Sequence, residues 1–471
     1  MSLICKLGEI LETARIAYET MEDVDFQVLE KAAHDKVFGA EPENILAWGD
    51  NEKFLKYLLR QRKMAGSVQV VYIDPPFFSK ANYKAVLQVK QKPGEGVQRV
   101  HHHAYKDTWE EGMEGYLIML CIRLFLIRDL LKESGTLWVH LDWHSSHYVK
   151  VFLDEIFGDK NFINEIVWQY KSGGSSKKHF ARKHDTILVY GKTAKYYLQI
   201  PKEKSYNRGM KPYRFQGVEE FCDEIGWYTM VTMKDVWNID MVGRTSAERT
   251  GYATQKPEAL LERILEAASR EGNLVADFFC GSGTCGAVAE KMHRRWICCD
   301  AGALAVANVR RRIITSENGL QLVADSDKIK GAEHTKTGIS FMSDSWRGAV
   351  AEIETEINEN FIENTDKICF TLRLKNYILK WLMDDSRNEK VSVSDEFTDI
   401  IKDNPLALID DWSIEYFGNG EVFCPDCTMI RQKGDISLSV QRIFCGEERD
   451  RLRVWIRTTD IFGNITYSRI L

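Results

Sequence analysis

Long apolar runs are missing from this chain. No stretch approaches the ~18 consecutive apolar residues that a membrane-spanning helix needs, so no membrane association is expected. A secretory signal is not expected either, because the N-terminus MSLICKLGEILETARIAYETMEDVD is charged and patterned as an amphipathic helix. Eleven cysteines without such a signal speak for a reducing interior, and the expected location is cytoplasmic. No internal repeat or low-complexity tract divides the sequence. Metal-ligand spacing is incomplete as well. His101, His102 and His103 are adjacent, and side chains of adjacent residues rarely converge on one centre. Cys424 and Cys427 have knuckle spacing, but only Cys445 follows them. No metal is expected.

What is present suits two or three globular domains: 471 residues, 44% hydrophobic and 28% charged. The net charge of −6 hides a division along the chain. Residues 316–471 hold 19 Lys and Arg against 28 Asp and Glu, a net of −9, which leaves +3 for residues 1–315. Within that first part, residues 168–215 hold 12 basic residues and only 2 acids, Asp185 and Glu203. A basic block in an acidic protein suits an anionic partner meeting one face, although a solvated loop has the same composition.

Periodicity predicts an α/β protein. Residues 1–40 read as a helical segment and 80–106 as a loop. SVQVVYID (67–74) and TLWVHLD (136–142) read as strands, with helices over 115–135 and 145–158. FINEIVWQY (162–170) and HDTILVYG (184–191) read as a long hairpin. KPEALLERILEAASREG, NLVADFF, CGAVAEKMHR, RWICCD and AGALAVANVRRRI complete a second strand–helix unit by residue 313. This rhythm predicts a mostly parallel sheet covered by helices over 41–315. Residues 316–395 read as a helical linker. Residues 396–471 alternate in period two and predict a small antiparallel, sandwich-like β module.

Proline is scarce, nine residues in all, so two in succession after an acid stand out. In VYIDPPFFSK (71–80) each proline restrains the residue before it, which holds Asp74 extended with Phe77 close by. A second chemical element is VADFFCGSGTCG (275–286), where glycines follow a strand and open a helix, with Asp300 ending the next strand. Glycines admit a ligand close to the backbone, a helix N-terminus favours an anionic group, and an acid accepts ribose hydroxyls. A dinucleotide pyrophosphate and the amino-acid end of S-adenosylmethionine (SAM) both fit that description. Asp277 tilts the reading toward SAM, since a carboxylate repels pyrophosphate and suits an ammonium.

Taken together, these elements resemble the amino-methylating DNA methyltransferases that act on adenine N6 or cytosine N4. DPPF (74–77) is similar to the target-base motif of that family and DFFCGSGT (277–284) to its SAM motif. GYATQKPEALLERIL (251–265) resembles the segment preceding the SAM motif, and WGDN (48–51) a Gly-Asp element before the DPP strand. Target-base motif first and SAM motif last is the circularly permuted β-class order, shared with type III modification subunits and many solitary methylases. The resemblance spans roughly residues 40–315.

It implies a Rossmann-like domain, SAM as cofactor and double-stranded DNA as partner. Asp74, Pro75, Pro76 and Phe77 would be catalytic: the Asp74 carboxylate and the Pro75 carbonyl would accept the two amino hydrogens, and Phe77 would stack on the flipped base. Asp50, Asp277, Phe279, Gly281, Gly283, Thr284 and Asp300 would hold the cofactor, with Thr254, Gln255, Lys256 and Pro257 as a last lining segment. The last four equally suit a helix start capped by Thr254 with Pro257 in the first turn. Sequence choice would lie in an insert at about 168–250, where Lys171, Lys177, Lys178, Arg182 and Lys183 are the expected phosphate contacts. Aspartate at 74 leans toward adenine, with cytosine N4 as the alternative. A nicotinamide-dependent dehydrogenase and a non-catalytic DNA-binding subunit are rival readings. Helicase and nuclease motifs are lacking, so restriction would need another chain. A homodimer and a separate partner subunit stay open.

Overall fold

The computed structural model of the chain describes residues 2–20, 24–32, 44–90, 97–171, 177–315, 339–343, 351–379, 404–431 and 436–471. Helix α1 (Leu3–Glu19) is followed by β1 (Gln27–Ala32), β2 (Asn44–Trp48), α2 (Asn51–Arg60) and β3 (Val68–Ile73). A hairpin of β4 (Asn82–Lys90) and β5 (Val97–Lys106) precedes α3 (Gly112–Leu130), β6 (Leu131–Leu141) and α4 (Ser146–Phe157). Next come β7 (Phe162–Gln169), β8 (His184–Gly191), β9 (Lys202–Tyr206), β10 (Phe221–Cys222), β11 (Trp227–Thr232) and β12 (Val236–Asn238). The second unit is α5 (Glu258–Ala268), β13 (Leu274–Asp277), α6 (Thr284–Lys291), β14 (Arg295–Asp300) and α7 (Ala303–Thr315).

The main sheet runs β1-β15-β2-β14-β13-β3-β6-β8-β7-β12, where β15 is Ile339–Ser343. From β15 to β6 all neighbours are parallel. Antiparallel β8 then returns beside β6 and pairs with β7. Strand β3 shows why: its β-branched run VQVVYI is buried at every position, as a strand covered on both faces must be. Val71 and Ile73 pack with α2, α3 and α4, while Val70 and Tyr72 pack with α5, α6 and α7. The predicted α/β class and the hairpin of β7 with β8 are both observed.

Strands β16 (Ala351–Phe361), β17 (Lys367–Leu379), β18 (Ile409–Glu415), β19 (Cys427–Ile430), β20 (Ser439–Cys445), β21 (Trp455–Asp460) and β22 (Ile465–Arg469) form two antiparallel sheets, β16-β17-β20 and β19-β18-β21-β22. Phe370, Leu372 and Phe444 of one share a core with Trp412, Ile414 and Ile456 of the other. The sandwich-like module is therefore present and starts earlier than expected.

Three sequence readings are corrected. The helical linker is strand β15 and a strand hairpin over 351–379; its 316–338, 344–350 and 380–395 portions lie outside the described residues. Helix-favouring Glu residues in AEIETEINENF point away from the core, and the buried set of β17, Ile368, Phe370, Leu372 and Leu374, recurs every second residue. The N-terminal helical segment contains β1, which pairs antiparallel with β15. Its partner lies some three hundred residues away, beyond the reach of local periodicity. The loop at 80–106 is the β4–β5 hairpin, anchored at Val86 N–H, which donates to Gly251 O at 3.1 Å.

The two parts of the chain meet at a buried ion cluster. Arg310 of α7 grips Glu30 of β1 with two hydrogen bonds of 2.7 and 2.6 Å. Arg457 of β21 lies 3.5 Å from Glu30 and 2.5 Å from Asp411 of β18. All four side chains are buried, so each charge depends on the others for the solvation it has lost.

Candidate active site

Four parallel strands end, side by side, near acids. In sheet order, β2 runs out to Asp50, β14 to Asp300, β13 to Asp277 and β3 to Asp74. The carboxyl edge of such a sheet is where ligands bind. Here the edge opens into a cavity of about 430 Å³ lined by all four acids, by Pro75, Pro76 and Phe77, and by Phe279, Gly281 and Thr284.

The half of the cavity around the diproline is built on a tightly held loop. Beyond Pro76 the backbone enters the left-handed region at Phe78 (φ 66°) and Lys80 (φ 60°), conformations that side chains disfavour. The buried Asp107 carboxylate holds them there. It accepts N–H groups of Phe77, Phe78 and Ser79 at 3.1, 2.9 and 2.7 Å, the Ser79 hydroxyl at 2.6 Å and Trp109 Nε1 at 3.2 Å. The Phe77 ring stacks on His140, 5.9 Å between centroids and 23° from parallel. His140 is fully buried, with Nδ1 2.9 Å from the Tyr72 hydroxyl and Nε2 3.2 Å from Asp185, which also accepts Tyr170 OH at 3.1 Å.

The other half is built on the glycine turn. Gly283 takes φ 75° at the start of α6, and a Cβ there would lie 2.7 Å from the Val309 side chain. Only glycine meets both demands. Asp277 accepts Phe279 N–H at 3.0 Å. Burial raises its pKa well above the ordinary carboxylate value, and the nearby Asp74 and Asp300 add to that. Asp300 is raised by burial too, against the N–H groups of Gly281 and Gly302, each 2.8 Å from its oxygens. Asp50 caps α2 through Lys53 N–H at 3.0 Å and pairs with Arg123 Nη2 at 3.1 Å.

Residues 254–257 divide. Thr254 lines the cavity at φ 58°, its hydroxyl 3.1 Å from Tyr105 OH, and it does not cap the helix; α5 begins at Glu258 with Pro257 in the cap position. Gln255 turns away, accepting Thr250 N–H at 2.8 Å and donating to Glu248 O at 2.6 Å. Gln255, Pro257 and Gly283 are not among the cavity-lining residues. Lys256 reaches across to Asp74 and hydrogen-bonds Oδ2, with its ammonium 5.3 Å from the Phe77 ring centroid. Its carbonyl accepts the Thr284 hydroxyl at 3.0 Å, which joins this segment to the glycine turn.

Lys171, Lys177, Lys178, Arg182 and Lys183 lie on the β7–β8 connection, all but the half-buried Lys183 exposed. Strand β8 pairs with β6 through Leu141↔Thr186, so its first residues stand at the edge where β3 and β6 end. Arg182 stacks over Trp143 at 3.8 Å, and Phe180 is 98% exposed. Trp168 and Tyr190 of the same basic block are core residues.

Sequence reasoning missed Asp107, His140, Asp185 and Arg123. Only His140 and Asp185 carried a signal: a histidine inside an apolar strand, and an acid inside a basic block. Asp107 and Arg123 acquire their partners only through folding.

The sequence matches the profile of the N6/N4 DNA methylase family over residues 68–308. It is 27% identical over 329 residues to the type II methyltransferase M.EcaI of Enterobacter cloacae, covering 57% of this chain and 69% of that protein. It is 26% identical over 240 residues to the DNA adenine methyltransferase YhdJ of Escherichia coli, covering 50% and 71%. Among solved structures, the PvuII DNA methyltransferase (cytosine-N4-specific) aligns with a TM-score of 0.40 at 15% identity, covering 59% of this chain and 91% of that one. The resemblance carried by DPPF and DFFCGSGT is borne out, and the chain belongs to the N6/N4 DNA methylase family.

Proposed function

We propose that this protein is a site-specific, SAM-dependent DNA methyltransferase that methylates the exocyclic N6 of adenine in duplex DNA, with the target base flipped into the cavity. One observation carries the reading. Asp74 Oδ1 is buried at the cavity wall with no hydrogen-bond partner among the described residues, in the same chamber as the glycine turn. An unpartnered buried acceptor is costly unless a ligand donor meets it. A carboxylate rather than a neutral side chain at that point, and the adenine specificity named for a relative, favour adenine.

The residues fit the cofactor. Asp277 offers a buried carboxylate for an ammonium, Asp300 and Asp50 offer acceptors for ribose and adenine groups, and the N-terminus of α6 suits a carboxylate. When bound, SAM supplies a methyl group activated by its sulfonium. Asp74 Oδ1 accepts one amino hydrogen, which draws the nitrogen lone pair out of conjugation with the ring. Phe77, held by Asp107 below its backbone and His140 against its face, is the platform on which the base stacks. Positioning and fixed charge supply most of the acceleration. The basic loop at the same edge suits the phosphates of the flanking duplex.

The test uses purified protein, SAM with a labelled methyl group, and mixed-sequence duplex DNA, with Asp74→Ala alongside. Digestion to nucleosides and mass spectrometry should find label in N6-methyladenine with the wild type and none with the variant. Label in N4-methylcytosine would overturn the base, and no label in any nucleoside would overturn the reaction.

A further inference from the structure

Lys256 belongs to the segment expected to line the cofactor, yet its side chain leaves that half of the cavity. It is 9% exposed and hydrogen-bonds Asp74 Oδ2, while Oδ1 of the same carboxylate is buried and unpartnered. The ammonium carries three N–H donors, and Asp74 is its hydrogen-bond partner. It also lies 5.3 Å from the centroid of Phe77, the ring proposed to carry the base. A donor and an acceptor therefore stand side by side next to one aromatic platform.

That pairing has a chemical complement. Adenine presents an amino N–H beside an unprotonated ring nitrogen, N6–H next to N1. Cytosine presents the same pair as N4–H next to N3. Guanine and thymine present the reverse, a carbonyl oxygen beside a ring N–H. Resting on the methyltransferase reading above, we infer that Lys256 is a specificity-determining residue: it donates to the ring nitrogen next to the reacting amine while Asp74 Oδ1 accepts the amine hydrogen. Against guanine or thymine, Lys256 would face an N–H and Asp74 a carbonyl oxygen, so both contacts would be repulsive. Discrimination would come from mismatch as well as from attraction. A second consequence concerns the position of reaction. The ring nitrogen is the more nucleophilic atom of free adenine, and a donor held against it occupies its lone pair, leaving the amine to react.

The local structure supports this role. The Lys256 carbonyl accepts the Thr284 hydroxyl at 3.0 Å, and Arg312 Nη1 donates to that hydroxyl at 2.9 Å. The backbone is thus anchored on α6 and α7, so the side chain reaches Asp74 from a fixed base. Lys256, from the segment before α5, hydrogen-bonds Asp74, and Asp277 from β13, Tyr72 from β3, Tyr105 from β5 and Tyr252 from the loop before Lys256 line the same cavity. Lys256 is the cation that hydrogen-bonds Asp74, and therefore the donor matched to a lone pair beside the amine.

The experiment needs the methylated site, mapped first by sequencing DNA treated with the wild type. Failure at that step would overturn the methyltransferase reading itself, separately from any result with altered bases. Two duplexes carrying the mapped site would be compared, one with adenine and one with 1-deazaadenine, which keeps the amine and replaces N1 by C–H. If the mapped base is cytosine, 3-deazacytosine takes its place. Both kcat/KM and equilibrium DNA binding, the latter with S-adenosylhomocysteine in place of SAM, would be measured for wild type, Lys256→Met and Lys256→Arg. The wild type should prefer adenine by roughly 10- to 100-fold, the range for a hydrogen bond to a charged donor. Lys256→Met should prefer it by less than roughly 3-fold, and Lys256→Arg should restore part of the preference. SAM binding by calorimetry reports whether each variant is folded. Equal treatment of the two duplexes by the wild type would overturn the inference, whatever the variants do. An equal loss by Lys256→Met on both duplexes would do so as well.

Discussion

The carboxylate of Asp107 accepts the backbone N–H of Phe77 at 3.1 Å from thirty residues further along the chain. It takes the next two N–H groups too, so one buried acid sets the path of the whole turn after the diproline. Asp107→Asn keeps the shape but can present only one carbonyl acceptor to this set of donors. It should lower kcat roughly 100-fold, the scale of an ångström-sized misplacement of a reacting group. SAM affinity should stay within about threefold, because the glycine turn has its own supports. Steady-state kinetics beside calorimetry with SAM separate the two. An equal loss of cofactor affinity would show that Asp107 supports the whole cavity and not just the loop after the diproline.

With Asp277 as the proposed acceptor for the SAM ammonium, cofactor binding should depend on pH in one direction. Burial holds its carboxyl protonated to higher pH than an ordinary aspartate, with Asp74 and Asp300 adding to the effect and Phe279 N–H opposing it. An ammonium needs the ionised form, so binding should release a proton. Affinity should then rise with pH across the acid range, by up to about one decade per pH unit. Titrations in buffers of different ionisation enthalpy would count the proton. Asp277→Asn should bind SAM weakly with a flat profile, and proton uptake on binding by the wild type would contradict the assignment.

Lys177, Lys178, Arg182 and Lys183 cluster on the β7–β8 connection at the edge of the sheet where the cavity opens. Replacing all four with glutamine should make the plot of log affinity for duplex DNA against log salt shallower by roughly 3–4, about one for each phosphate no longer neutralised. Specific and nonspecific duplexes should be affected alike. An unchanged slope would place the phosphate contacts elsewhere.

The Glu30, Arg310, Asp411 and Arg457 cluster predicts that the two parts of the chain unfold together. Glu30→Gln leaves Arg310 without its bidentate partner and should cost about 3–5 kcal/mol, the range for breaking a buried pair. Denaturation followed by fluorescence and by far-UV circular dichroism should give one coincident transition in the wild type. Two separated transitions would show that the modules are energetically independent.

Much of the chemistry was legible before the fold. Local restraint made DPPF readable, because proline acts on its own backbone and its neighbour. The glycine turn was readable because glycines between a strand and a helix admit a ligand close to the backbone, and the structure adds that Gly283 is held by its left-handed torsion and its contact with Val309. The errors have one physical source. Strand β1 exists because β15, some three hundred residues away, lies beside it, and β16 with β17 exist because their alternating faces find a core, so helix-favouring glutamates and lysines misled where tertiary packing decided the strand. The β4–β5 hairpin is a further instance, its polar sequence held by mutual pairing and by Gly251.

By itself the sequence determined the chemical vocabulary of this protein: a rigid acid beside an aromatic ring, a glycine turn opening a helix, and a basic block. It also determined the permuted order in which they occur. The tertiary structure alone decided how they meet. Asp50, Asp300, Asp277 and Asp74 are scattered over 251 positions, counted inclusively, and become neighbours because β2, β14, β13 and β3 lie adjacent and parallel. Asp107 finds the Phe77 backbone, and Lys256 finds Asp74, only across that assembled edge. A residue's own torsional preferences are set locally. A buried carboxylate or ammonium must be satisfied by whatever folding brings to it.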